Sequence, residues 1–410
     1  MDEDVNPVAS AFVNSAQEAF MFENGEALAK LFVFNEQTVD ILGSKLSTVD
    51  DFDQYVIIVS DPIFAQFTAT YLRFVRDKPS QSPEDSHKIL CKTTELFIAI
   101  LNSVQGPWLL PVVRSIALAQ CASAQTVHSL TGDSGAFTQS ASLLLRLLID
   151  LLSDNSPIES SKKLGALFVA GLLLRISLRT NAAPGAYASK ALEVKSLWDT
   201  PAFSRRDRAS YSFWLGRYYL VCYYVDLARE QLEYAFNACP GWHYHNKRVI
   251  LRHLFVANMI RGRLPSVRLL EKYDMEPVYG ELVQHFRKGN LAGFQQALAD
   301  NMDLFRSQGN FLILLERTKL LIYRNVLQRL RQIVGRSERS KVISYRDMLA
   351  AFRVASQDPE MDVFEMESIL SSLISQKIVR GFMFHHQKSL NLSQKDPFPS
   401  IMNAGKFMRR

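Results

Sequence analysis

Residues 215–240 read LGRYYLVCYYVDLAREQLEYAFNACP, and this stretch decides the fold. Gly216, next to Leu215, and Ala228 put small residues where two antiparallel helices touch, while Tyr219 and Leu232 are large enough to fill the gap between them. Ala235 follows one helical heptad after Ala228, and Pro240 stops the second helix because it lacks an N–H and crowds the preceding turn. The stretch therefore predicts a helical hairpin.

The same spacings, Leu-Gly, Tyr, Ala, Ala and a closing Pro, match the tetratricopeptide helix-pair signature, with Ser212 at its early Trp position and Leu232 at its later Phe position. Hairpins of this kind stack into solenoids whose concave faces hold partner segments.

Working outward, helix follows helix. A pair spans 9–35 with a break at Asn24-Gly25, and 78–86 reads as a loop. Helical patterns then cover 89–103, 108–123, 139–152 and 161–179, punctuated by Gly106-Pro107, Thr131-Gly132 and Asn155-Ser156-Pro157. Hairpins continue over 246–303, turning at Gly262 to Pro265 and at Gly289-Asn290. A long helix over 311–334 is expected to turn Leu315, Ile322, Val326 and Ile333 inward, leaving Arg317, Arg324 and Arg331 on the far side at seven-residue spacing.

After Gly335 the pattern changes. A short extension at Val342-Ile343-Ser344 precedes helices over 345–355 and 362–376, and strand-like segments at 378–384 and 390–393 flank His385-His386-Gln387-Lys388. Strand, helix, helix and hairpin is the order of a winged helix. The expected fold is mostly α: a tetratricopeptide-like solenoid ending in a C-terminal winged helix. Its predicted parts are N-terminal helical repeats at 1–205, a tetratricopeptide-like part at 206–335, the winged helix at 336–400 and a basic tail at 401–410.

Composition bounds the rest. The chain has 410 residues, 48% of them apolar, enough for a large core. Arg146 and Arg175 interrupt apolar stretches short of the roughly 18 to 20 residues of a membrane span, so no span is expected and the chain reads as soluble and intracellular. Cys91, Cys121, Cys222 and Cys239 lie far apart without a CxxC pair, which points to reduced, packed thiols. The net charge of +6 hides a gradient: residues 1–100 hold 16 acidic against 7 basic residues, and residues 201–350 hold 24 basic against 13 acidic. An acidic partner or nucleic acid suits the basic part.

Catalytic motifs do not emerge. The chain contains no G-x-x-x-x-G-K-[S/T], G-x-G-x-x-G or G-x-S-x-G. His243-Tyr244-His245, near Cys239, has the look of metal ligands, but a zinc site needs a third ligand and a carboxylate base. No enzyme, metal or cofactor is expected. For nucleic acid, the candidates are Arg317, Arg324 and Arg331, the cluster Arg336, Arg339, Lys341 and Arg346, and the wing residues Lys377, Arg380, His385, His386 and Lys388. Asp362, Glu365 and Glu367 lie on the helix that would enter a DNA groove and repel phosphates, which favours sequence-tolerant contact with RNA or single-stranded DNA. Ile378, Phe382, Phe384, Leu390 and Leu392 alternate along the hairpin and are candidates for a partner interface or for the module's own core.

Helical hairpins, a long helix and a terminal winged helix together resemble the PCI architecture. The words Trp108-Leu109-Leu110-Pro111, Lys162-Lys163-Leu164-Gly165, Asn246-Lys247-Arg248, Gly262-Arg263-Leu264-Pro265, Tyr323-Arg324-Asn325 and Asp396-Pro397-Phe398-Pro399, in this order, resemble the PCI domain-containing protein 2 family from about residue 100 onward. That family includes the PCI subunit of transcription-and-export complex 2 and the fungal signalosome subunit twelve. The resemblance implies a non-enzymatic subunit that pairs through its winged helix with a larger PCI scaffold protein and is clamped by a small acidic disordered protein. It further implies work in nuclear mRNA export, with a location in the nucleus extending to the nuclear pore and some cytoplasmic pool. A place in the signalosome or in a related transcription- or splicing-linked complex is the alternative it leaves open.

Overall fold

A computed structural model describes residues 6–180, 185–198, 200–334 and 342–401. Among them the chain forms nineteen α-helices and three short strands, in two compact units that divide between Tyr218 and Tyr219. The division falls inside the helix Arg205–Val221. The hairpin signature therefore straddles both units. Leu215 is fully buried in the first, and Ala228, Leu232 and Ala235 are fully buried in the second.

The N-terminal unit is a stack of helices that start where the sequence supplies caps. Asn6 accepts hydrogen bonds from the amides of Val8 and Ala9 ahead of Pro7–Met21, and Asp61 does the same for Ile63 and Phe64 ahead of Pro62–Asp77. Its core gathers aromatic rings. Phe32 packs edge-on to Phe12 and Tyr71, and the buried Tyr71 hydroxyl donates to Val33 O at 2.7 Å, so the large ring is buried without leaving its polar tip unsatisfied. Gly25 permits the closest approach: a Cβ there would lie 1.6 Å from the Trp108 carbonyl oxygen, which only glycine tolerates.

One helix corrects an expectation. Gly135–Ser153 is long and apolar enough to cross a membrane by length and composition, although it carries Arg146 and Asp150. Its apolar face, including Leu144, Leu147, Leu148 and Leu151, is buried against neighbouring helices of the unit, the burial expected of a core helix.

In the second unit, Val225–Ala238 packs on Tyr244–Ile260, and Glu276–Lys288 on Leu291–Asp300 and on the long helix Phe311–Val334. Gly289 ends the helix before it in the left-handed region, at φ 70°, and a Cβ there would meet Val326 at 2.9 Å. Asn325 fastens the same junction by donating to Phe286 O at 2.9 Å. The chain then closes with a three-stranded antiparallel sheet of order β1-β3-β2: β1 Val342–Ser344, β2 Gly381–Phe384 and β3 Ser389–Leu392. Helices Tyr345–Ser356 and Val363–Ser375 lie between β1 and β2, the winged-helix order read from the sequence.

Candidate interaction and nucleic-acid interface

The sheet register sorts the wing into two faces. Ile343, Leu390 and Met383 form one row across the sheet, with Ile343 and Leu390 fully buried, while Val342, Asn391 and Phe382 form the next row on the opposite face. Phe382 is 77% exposed and Phe384 is 42% exposed on that outer face, beside Val342. An outer sheet face carrying two phenylalanines and a valine, flanked by edge strand β2, is a ready docking surface.

Three of the five candidate interface residues lie on the other side. Ile378, Leu390 and Leu392 are core, 3%, 0% and 3% exposed, and cannot touch a partner without unfolding the module. The reading of 378–384 as one alternating strand misled here. Residue 378 sits in the turn after the helix, where Lys377 has φ 57°, and the strand starts only at Gly381, so the parity of Ile378 does not carry through to Phe382. The two helices add exposed apolar side chains that the sequence reading passed over, Val354 and Phe364, 78% and 79% exposed.

The basic candidates separate as well. Arg324 is corrected: it is 8% exposed, its Nη2 donates to Phe398 O at 3.0 Å and Pro399 O at 3.1 Å, and its guanidinium lies over the Phe398 ring. The side of the long helix opposite its core is not open there, because the segment after the wing returns across it. Burial lowers the Arg324 pKa from the usual arginine range, with Asp396 opposing that shift. Arg317 stays exposed with its guanidinium 4.7 Å from the Tyr223 ring centroid, and Arg331 is half-buried near the helix end. Of the expected inward stripe, Ile322 and Val326 are buried, Leu315 is half-buried and Ile333, near the helix end, is 73% exposed.

Arg336, Arg339 and Lys341 lie outside the described residues. Arg346 is exposed at the start of its helix, and the preceding Tyr345 amide donates to Lys388 O at 2.8 Å, which places the wing turn beside that helix start. His386 and Lys388 are exposed in the turn. Two neighbours are paired: Arg380 with Asp396 at 3.2 Å, and His385 Nδ1 with Glu367 Oε1 at 2.9 Å. Glu367 is thus partly covered by an imidazole. Lys377 is exposed at the base of the wing.

Elsewhere in the unit, a groove of about 210 Å³ is lined by Tyr223, Asp226, Arg261, Arg317, Ile378 and Ile401, among others. Arg261 at its wall is 8% exposed and forks onto both oxygens of Asp226. His243 and His245 gain no third ligand: the described residues bring together no three His, Cys, Asp or Glu side chains able to hold a metal. The four cysteines are unpaired thiols, and burial pushes Cys91 up to about 11 and Cys121 up to about 12, far from a reactive thiolate.

Comparison with known proteins agrees with this architecture. The PCI domain model matches residues 295–394, a span that takes in the long helix and the winged helix. PCI domain-containing protein 2 of Xenopus laevis is 25% identical over 95% of this chain and 97% of its own length. Enhanced ethylene response protein 5 of Arabidopsis thaliana is 24% identical over 95% of both chains, and the Protein CSN12 homolog of Schizosaccharomyces pombe is 29% identical over 61% of this chain and 56% of its own. The chain carries a PCI domain and is similar along nearly its whole length to proteins named PCI domain-containing protein 2.

Proposed function

We propose that this chain is a non-catalytic scaffold subunit of a nuclear mRNA export assembly of the transcription-and-export complex 2 type. In this reading it docks a larger PCI scaffold protein through the outer face of its winged-helix sheet. Arg346, His386 and Lys388 then lie at the edge of the joint surface and contribute to a platform for RNA or single-stranded DNA, so that transcript and exporting machinery are held together in the nucleus and at its pores. A small acidic disordered subunit completes the assembly against the basic second half of the chain.

The observation that carries this reading is the exposed Phe382–Phe384 face, an apolar surface on a module whose own core is already closed by Ile343, Leu390 and Leu392. Aromatic anchors of this kind supply most of an interface's energy. The test is affinity purification of the tagged full-length chain from nuclear extract, followed by mass spectrometry. A larger PCI protein is expected with the wild type and is lost with Phe382→Asp/Phe384→Asp, which leaves the melting temperature unchanged. Recovery of the same scaffold with the double variant refutes the docking face. The name of the Schizosaccharomyces pombe relative favours the signalosome as a second reading. Copurifying signalosome subunits in place of export factors would select it.

A further inference from the structure

The end of the first helix carries an apolar surface that the N-terminal unit leaves open. Met21, the last residue of Pro7–Met21, is exposed, and Phe22, its C-cap, is 77% exposed. Beside Phe22 runs an open groove of about 610 Å³, lined by Phe22, Glu23, Glu26, Pro107, Trp108 and Pro111, among others. Its two sides are locked together where Gly25 meets the Trp108 carbonyl. Trp108 is held in turn by an edge-on contact with the Phe20 ring, 5.6 Å between centroids, and Phe20 stacks on Phe64 at 4.1 Å. The groove is therefore preformed, and an incoming chain orders little of this protein when it binds.

Charge selects the occupant. The lining holds the carboxylates of Glu23 and Glu26 and no Lys, Arg or His, and neither carboxylate forms an ion pair with a described residue. Glu18, one turn before Phe22 on the same helix, is exposed and unpaired as well. Glu23 stands at φ 54°, the left-handed position after a helix that favours glycine, with its carboxylate at the negative end of the helix dipole. A cation docked beside Glu23 offsets that electrostatic cost.

We propose that this groove binds an extended, proline-containing segment of a partner protein that carries Arg or Lys beside its prolines. An indole, a phenyl ring and two pyrrolidines give the groove flat, stiff walls against which proline rings stack. A polyproline segment is already extended in solution and loses little freedom on docking. Its cations reach the exposed carboxylates of Glu23 and Glu26, whereas a phosphate backbone is repelled by them. The groove is thus a protein-binding site, and it stands on observations independent of the wing sheet and its proposed partner.

The test is fluorescence anisotropy of a labelled peptide, a Pro-Pro-Leu-Pro core with an arginine pair at each end, titrated with the full-length chain. Saturable binding is expected, weakened roughly tenfold by Phe22→Ser and by Glu23→Gly/Glu26→Gln. Added salt weakens it too, because the charges are exposed. Glu23→Gly alone separates binding from folding: freed of left-handed strain, it is expected to raise the melting temperature while lowering peptide affinity. Peptides with glutamate in place of arginine, or alanine in place of proline, are expected to bind more weakly. Failure of the wild-type chain to bind the arginine–proline peptide at millimolar concentration overturns the proposal. Wild-type affinity in Phe22→Ser or in the double variant overturns it as well. So does equal affinity for the alanine-substituted peptide, which would make the groove a general cation binder.

Discussion

Replacing Arg324 by alanine tests whether the middle of the long helix is an outward-facing phosphate contact or a structural clamp. The guanidinium donates to two backbone carbonyls, Phe398 O and Pro399 O, from a side chain only 8% exposed. Hydrogen bonds from charged donors contribute about 1.5–3 kcal/mol each, so removing both and stranding two carbonyls costs about 3–5 kcal/mol. For a unit of this size that lowers the melting temperature by roughly 10 °C. The loss has a definite location: residues 396–401 come away from the long helix, taking with them the hydrogen bond from the Arg380 amide to Pro397 O. Thermal denaturation of the full-length Arg324→Ala chain, joined to hydrogen–deuterium exchange of the peptide covering 396–401, measures both effects. RNA affinity at low salt, measured well below the melting temperature, changes little. An unchanged melting temperature and unchanged exchange, together with weaker RNA binding and a shallower salt slope, would refute the clamp and restore Arg324 to the nucleic-acid surface.

Two further predictions concern buried ionisable groups. His87 is 2% exposed and burial lowers its pKa, while its Nδ1 lies 2.9 Å from Ser123 Oγ. The unfolded chain binds a proton near pH 6.5 that the folded chain refuses, so the His87 contribution is complete above that pH. It is lost as pH falls from there toward the lower folded value, by at most about 1.4 kcal/mol per pH unit. Urea midpoints at pH 7.5 and 5.5 should fall with pH in the wild type and fall less in His87→Asn. Asp226→Ala leaves the guanidinium of Arg261 buried without its carboxylate and should cost about 3 kcal/mol in urea denaturation. Asp226→Leu/Arg261→Met should recover most of that loss, and a double variant no better than the single one would contradict the charge-burial explanation.

How much of this was legible beforehand follows from the range of the forces involved. Local signals read true: Gly289-Asn290 marks a helix end and a helix start because a left-handed residue and a side-chain cap are properties of a few adjacent residues. The turn 385–388 was visible for the same reason. Long-range return was not. Arg324 reads as solvent-facing from its periodicity, since nothing within the helix announces that residues 396–399, more than seventy positions later, fold back over it. Ile378 failed through register, because a turn of a few residues before Gly381 resets which face each later side chain takes.

The acidic start of the helix Val363–Ser375 also gains a cause. Asp362 Oδ1 accepts the Glu365 amide at 2.7 Å, so that carboxylate satisfies an orphan N–H and opposes the positive end of the helix dipole. Glu367, one turn on, is held by His385. These carboxylates therefore serve the helix and the wing, and the same end of the same helix cannot both be capped by carboxylates and press against a phosphate backbone. Duplex reading through this helix is disfavoured by the chemistry that starts it. Exposed Arg346 and Lys388, with His386 between Phe384 and Lys388 in the turn, lie instead where the wing turn meets the start of the other helix, beside an apolar sheet face. Under the proposed function, a partner seated on that face brings its own charges next to this edge, and any nucleic-acid preference is then set by two chains together.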